Sequence, residues 1–227
     1  MHGRRQGRPL RTGRAALLRE RLPRLSVEVP PATDDGLIDL AALFGRPMAD
    51  HWLEVGFGNG EHTAAQAEAH PEIGLIGCEP FLNGVAALLA TIEARGLDNI
   101  RLHADDARDL IDALPDASIG RVSVLFPDPW PKRRHHKRRF IGRDTLDRLA
   151  RVMTDGAELR LASDDADLVD WMLRHARAHP AFAWQARRAA DWRVRPVDQP
   201  PTRYEAKRLH GMPAFLTFRR VARRADR

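Results

Sequence analysis

The sequence predicts an α/β domain with a mostly parallel central sheet and an antiparallel strand at one edge. After residue 50, short apolar runs alternate five times with longer helical stretches, the pattern of strands joined by crossover helices. After His179 that rhythm gives way to two strand-like runs joined by a long loop. A length of 227 residues, 43% of them hydrophobic, is enough to bury one ordinary core.

The predicted strands are Trp52–Val55, Gly74–Cys78, Ile100–Leu102, Val122–Phe126 and Leu159–Leu161, each a short apolar run ending near Gly, Pro or an acid. Helices are predicted over Glu61–Ala69, Phe81–Arg95, Ala107–Leu114, Arg143–Met153 and Asp165–Ala178. In the fourth of these, Leu146, Leu149 and Met153 recur at helical spacing and supply an apolar face. The runs 182–186 and 215–218 predict the antiparallel edge.

Charge is distributed in blocks. Residues 1–24 carry eight Arg against one Glu, and the last eleven residues five Arg against one Asp, on a body that is otherwise acidic. A third block, Lys132 to Arg139, holds six Lys and Arg within eight residues. Clustering of this kind suits a polyanionic partner better than evenly spread charge. The expected division is a flexible basic arm over 1–24, in which Ala15 to Leu22 could form a short helix, then a connector over 25–50. The folded domain follows over 51–221, with a basic tail over 222–227. Because a flexible arm must be ordered before its cations bind, the central block is expected to carry the larger share of polyanion binding.

A mean hydropathy of −0.45, with no apolar stretch near the roughly 18 residues of a membrane helix, predicts a soluble protein with no membrane partner. The Arg-rich N-terminus lacks the apolar region of a secretory signal. The single Cys78 cannot form an internal disulfide or a cysteine zinc site. A reducing, cytoplasmic setting is expected, as monomer or homodimer. Adjacent His135 and His136 cannot easily chelate one ion, so no metal is expected.

Ligands of open α/β sheets bind beyond the carboxyl ends of the strands, and four such ends carry chemistry here. The first runs Glu54-Val55-Gly56-Phe57-Gly58-Asn59-Gly60, whose alternate glycines allow a tight turn and a close ligand approach. Its GxGxG spacing differs from GxGxxG, and it lacks the Lys-Ser/Thr of a phosphate-binding loop. The second ends at Glu79, nineteen residues after Gly60, where a carboxylate can accept both hydroxyls of a ribose. The third ends at Asp105-Asp106, where an adenine amino group could be bound. Together they point to an adenosine-containing ligand, either S-adenosylmethionine or a dinucleotide. The fourth leads into Phe126-Pro127-Asp128-Pro129-Trp130-Pro131 and then the basic block, so a carboxylate sits in a stiff loop beside an aromatic ring.

From Pro127-Asp128-Pro129-Trp130 through Lys132, Arg134-His135 and Lys137-Arg138-Arg139, with Ser163-Asp164 and Thr202-Arg203-Tyr204-Glu205-Ala206-Lys207 further on, the chain resembles the bacterial tRNA (guanine-N7-)-methyltransferases over roughly residues 50–221. The resemblance implies a Rossmann-like class I methyltransferase fold with helices on both sheet faces and S-adenosyl-L-methionine as cofactor. It implies tRNA as partner, methylated at N7 of the guanine at nucleotide position 46 in the variable loop. Glu54, Gly56, Gly58, Gly60, Glu79, Asp106 and Asp128 would bind the cofactor, Asp106 rather than Asp105 because the family has an Asp-Ala pair. Lys132, Asp164, Thr202, Arg203, Tyr204 and Glu205 would contact substrate. Ser163 stands where Thr is common, and Asp165 follows Asp164, so which acid faces the base stays open.

Arg133, Arg134, His135, His136, Lys137, Arg138 and Arg139 are expected to bind RNA. Guanine N7 carries a free lone pair, so its methylation needs no prior proton removal. Asp128 is therefore expected to act catalytically by orienting and by stabilising a purine that becomes cationic. A nucleotide-dependent dehydrogenase would account for the glycines and Glu79 but not for the proline-flanked carboxylate beside six cations. A non-catalytic RNA-binding protein would leave the acids at successive strand ends unexplained.

Overall fold

The computed structural model describes residues 5–30, 36–200 and 211–223, in two units, Met1–Pro115 and Asp116–Arg227. In chain order, the first holds helices α1 (Thr12–Glu20), α2 (Leu22–Leu25) and α3 (Leu40–Phe44), then β1 (Asp50–Val55), α4 (Glu61–Ala69), β2 (Ile73–Cys78), α5 (Leu82–Arg95), β3 (Ile100–His103) and α6 (Ala107–Ala113). Its strands are parallel, with β2 between β1 and β3. All six residues of β2 are buried, which matches the unbroken apolar run Ile73–Cys78. Val55 pairs with Cys78, and Cys78 with His103, so the three strands end level. The residues that follow them, the glycine loop, Glu79 and Ala104–Asp106, therefore leave from one sheet edge.

Leu75, Val85, Leu88, Leu89, Ile92, Ile100 and Leu102 form the centre of this unit's core. A fully buried aliphatic side chain such as Leu88 contributes about 1.5–3 kcal/mol. Leu17 and Leu18 of α1, and Leu22 and Leu25 of α2, pack against it, and Val27 donates its amide to the Leu102 carbonyl at 2.8 Å. The expected flexible arm is thus replaced, from Thr12 onward, by packed helices. Leu18, Leu22 and Leu25 fall at helical spacing and bury one face, which is what holds the segment down.

The second unit holds β4 (Ile119–Leu125), a 3₁₀ helix (Arg133–Arg138), α7 (Arg143–Val152), β5 (Met153–Ser163), α8 (Ala166–Ala178), β6 (Phe182–Trp184), α9 (Ala190–Arg193) and β7 (Ala214–Arg220). β4 and β5 are parallel, and β7 runs antiparallel between β5 and β6. The antiparallel edge expected from the last two apolar runs is present. Leu146, Leu149 and Met153 are all fully buried, as their spacing predicts. β5 begins six residues earlier than expected, directly after α7, because exposed Asp155 and left-handed Gly156 (φ 81°) interrupt its apolar pattern.

The basic C-terminal segment is partly structural. Arg220 Nε donates to the Ala150 carbonyl at 2.9 Å. Arg223 reaches the carbonyls of Arg151 at 2.7 Å and Met153 at 3.0 Å and pairs with Asp155 at 2.8 Å. Two arginines expected in a cationic tail or its approach therefore satisfy carbonyls that α7 leaves unpaired at its end. Residues 224–227 lie outside the described residues.

Candidate functional site

At the first sheet edge, Gly56, Gly58 and Gly60 all adopt positive φ (77°, 58° and 81°). A Cβ on Gly60 would stand 2.6 Å from Leu88 Cδ1, and one on Gly84, in α5, would stand 2.1 Å from the Gly58 carbonyl oxygen. The loop is therefore packed tightly from below, whereas a Cβ on Gly56 would meet nothing within 4 Å. Glu54 is buried and closes the base of the loop, accepting from His62 Nδ1 at 2.8 Å and Thr63 Oγ1 at 2.6 Å. Neither partner was singled out from the sequence, although both sit in the first turn of the helix that the loop opens.

Glu79 holds the same loop from the neighbouring strand. Its Oε2 accepts from the Gly58 amide at 2.8 Å and its Oε1 from the Phe81 amide at 2.9 Å. A carboxylate offers about four lone-pair positions, so a side chain fixed by two amides still suits a pair of ribose hydroxyls. Asp106 caps α6, accepting from the Arg108 amide at 3.1 Å and its guanidinium at 3.2 Å. Burial pushes its carboxyl up, but hydrogen bonds and neighbouring positive charge, the Arg108 amide and guanidinium foremost, together hold it below the usual range. Asp105 pairs instead with Arg5 at 3.2 Å. Buried Cys78 has its thiol pushed far up by burial and by Asp106 and Glu79, so it is no nucleophile.

In the second unit, the loop after β4 is bent at two bulky residues of positive φ, Phe126 (51°) and Trp130 (44°). Such conformations cost about 1–3 kcal/mol each and persist only where the surroundings impose them. Phe126 is held by its amide, which donates to the Ala162 carbonyl at 2.8 Å, and the bend at Trp130 by Arg139, whose Nε donates to the Pro129 carbonyl at 2.9 Å. Its guanidinium also pairs with Asp167 and lies 5.0 Å from the Trp171 ring centroid. Between the two bends Asp128 is exposed.

The basic block does not act as eight equivalent cations. As a 3₁₀ helix it repeats every three residues. One row, His136 and Arg139, packs on Trp171. A second, His135 and Arg138, packs on Trp130, with the Arg138 guanidinium 4.9 Å from the ring centroid. The third, Arg134 and Lys137, faces solvent, as do Lys132 and Arg133. The expected RNA contact at Arg139 is therefore corrected: it is a buried clamp. Burial, then Arg138, Arg134, Lys132 and Lys137, lowers the basicity of His135.

After β5, Asp165 caps α8 by accepting from the Leu168 amide at 2.8 Å, and its own amide donates to Ser163 Oγ. Asp164 lies beside Gly211, where an added Cβ would stand 3.4 Å from the Asp164 carbonyl oxygen. Thr202, Arg203, Tyr204 and Glu205 lie outside the described residues. The loop ahead of them is tied down at Asp198, which pairs with Arg160 at 2.8 Å. Among the described residues there is no cluster able to hold a metal ion and no helix long and apolar enough to cross a membrane.

A family model described as "Putative methyltransferase" matches residues 49–213. The chain is 52% identical over 227 residues to a tRNA (guanine-N(7)-)-methyltransferase of Rhodospirillum rubrum, covering 99% of this chain and 89% of that one. It is 53% identical over 223 residues to the protein of that name from Paramagnetospirillum magneticum, covering 97% and 92%. The chain belongs to the tRNA (guanine-N7-)-methyltransferase family. Among solved structures, the 16S rRNA methyltransferase KamB aligns with a TM-score of 0.56 at 19% identity, covering 83% of this chain and 96% of that one. The fold of this member of the tRNA (guanine-N7-)-methyltransferase family is the Rossmann-like class I methyltransferase fold.

Proposed function

We propose that the protein transfers a methyl group from S-adenosyl-L-methionine to N7 of the guanine at nucleotide position 46 in the variable loop of tRNA, in the cytoplasm. The observation that carries this reading is an exposed carboxylate, Asp128, held between two strained bends by a buried arginine and followed by four solvent-facing cations. Membership of the family supports the reaction class, and the 52% identical relative supports the substrate.

When bound, the cofactor supplies a methyl group on an electron-poor sulfonium. Glu79 accepts the ribose hydroxyls, and the glycine loop, fixed by Glu54 and Glu79, lets the rest of the molecule lie against the backbone. Asp106 accepts from the adenine amino group. Asp128 contacts both ligands, orienting the purine and stabilising it as the new N–C bond makes it cationic. No proton has to leave before attack, so Asp128 need not act as a base. Lys132 and Asp164 bind the substrate with Thr202, Arg203, Tyr204 and Glu205. Asp164 and Glu205 accept from guanine N1–H and its amino group, which adenine does not offer in that form. Arg133, Arg134 and Lys137 meet phosphates.

The test is transfer of labelled methyl from S-adenosylmethionine into unmodified tRNA, with the product base identified after digestion. Label in 7-methylguanine, lost when the guanine at position 46 is replaced, is the expected result. Label elsewhere, or none, refutes the reading.

A further inference from the structure

The three N-terminal arginines Arg8, Arg11 and Arg14 are exposed, and none has an acidic partner among the described residues. Arg11 occupies the N-cap position of α1, and Arg14 lies within its first turn, where no acidic residue is present. Cations at that end oppose the helix dipole, so helix stability does not explain them. Nor do they pack the core, which α1 reaches through Leu17 and Leu18.

Their backbone is nevertheless firmly placed. The Arg5 carbonyl accepts from the Leu82 amide at 2.9 Å. The Gly7 amide donates to Asn83 Oδ1 at 2.9 Å, and Asn83 Nδ2 returns a bond to the Arg8 carbonyl at 2.9 Å. The Arg5 guanidinium pairs with Asp105 and reaches the Ala104 carbonyl at 3.3 Å. At the other end of α1, Arg21 pairs with Glu93 at 3.7 Å. α1 therefore runs parallel to α5, with its N-terminal end beside the strand ends that carry Glu79 and Asp106.

We propose that Arg8, Arg11 and Arg14 form a second phosphate-binding surface for tRNA on the first unit. The inference rests on the tRNA reading above and adds to it a contact outside the Pro127–Arg139 segment. The sequence alone favours the central block, because a flexible arm would lose entropy on binding. With α1 already packed, that cost falls away, and three free guanidinium groups compare with four solvent-facing cations in the central block, Lys132, Arg133, Arg134 and Lys137. Nucleic-acid backbone is the partner that fits several unpaired arginines on a short ridge, since each can release one counterion from a phosphate.

The test compares wild type with the triple variant Arg8→Gln, Arg11→Gln, Arg14→Gln in tRNA binding across a salt series. Each lost contact should flatten the plot of log K against log salt by about 0.7–0.9, hence about 2–2.7 for three. With 1 M salt as the point where the ionic contribution vanishes, affinity at 0.15 M falls about 50- to 170-fold. The melting temperature should not fall, because these cations oppose the α1 dipole, and the affinity for S-adenosylmethionine should not change, since among the described residues these side chains make no hydrogen bond or ion pair at the strand ends. An unchanged slope overturns the proposal, as does a loss of cofactor affinity, or tighter binding of wild type to anionic phosphatidylglycerol vesicles than to tRNA. If wild type binds tRNA and methylates it while the triple variant keeps its slope, only this surface is wrong. If wild type transfers no methyl group to tRNA, the reading beneath it fails.

Discussion

Replacing Arg139 separates a buried clamp from a phosphate contact. Its guanidinium donates to the Pro129 carbonyl, pairs with Asp167 and lies over Trp171, and its side chain is only 1% exposed. A hydrogen bond from a charged donor contributes about 1.5–3 kcal/mol, and a desolvated cation–π contact about 2 kcal/mol. The Asp167 pair adds little, because that carboxylate is 63% exposed and water can replace the arginine. Some of the gain offsets the cost of burying the charge, so Arg139→Lys should destabilise the protein by about 2–4 kcal/mol. For a chain of this size that lowers the melting temperature by about 4–16 °C. Lysine keeps the charge but cannot reproduce the planar fork, so a phosphate contact would largely survive the change while the clamp would not. Thermal melting and tRNA binding across a salt series, with Lys137→Gln as comparison, make the measurement. Arg139→Lys should melt early with its salt slope intact, and Lys137→Gln should do the reverse, losing about 0.7–0.9 in slope. A normal melting temperature for Arg139→Lys, with Arg139→Gln losing the slope of one phosphate, would refute the clamp.

Other outcomes follow from the two sheet edges. Glu79→Ala removes the acceptor for the ribose and releases the Gly58 amide, so cofactor affinity by calorimetry should fall by about 1.5–3 kcal/mol per lost bond; unchanged affinity would take Glu79 out of the pocket. Asp128→Asn keeps size and loop, so tRNA affinity should hold while the single-turnover rate falls by about 10²–10³, the range for losing one preorganised electrostatic group. Because the Asp106 carboxyl lies below its ordinary value of 3.8 in the folded state, its contribution is present above that value and is lost as pH falls through the lower, folded one. Denaturant unfolding of wild type and Asp106→Asn between pH 5 and 2 should therefore give curves that converge on acidification; a constant gap would refute this.

The strand ends were readable because a buried parallel strand is a mostly apolar run, and Val55, Cys78 and Leu125 each close one. Roles within the basic block were not, because sequence shows six similar cations and no period. Only the 3₁₀ repeat, with Trp171 supplied from a distant helix, separates Arg139 from Lys137. The N-terminal helices left a signal in Leu18, Leu22 and Leu25, outweighed by the surrounding Arg, Gly and Pro. His62 and Thr63 follow Glu54 by eight and nine residues, but only the folded glycine loop brings the first turn of α4 back onto that carboxylate.

The place of β7 between β5 and β6 also bears on how the protein is made. During synthesis β5 and β6 leave the ribosome before the strand that joins them, so the second unit first exists with an open edge along β5 and with β6 lacking its partner. An unpaired strand edge is a template for pairing with other chains. Until Ala214–Arg220 is in place, the second unit therefore carries strand edges that another chain can pair with.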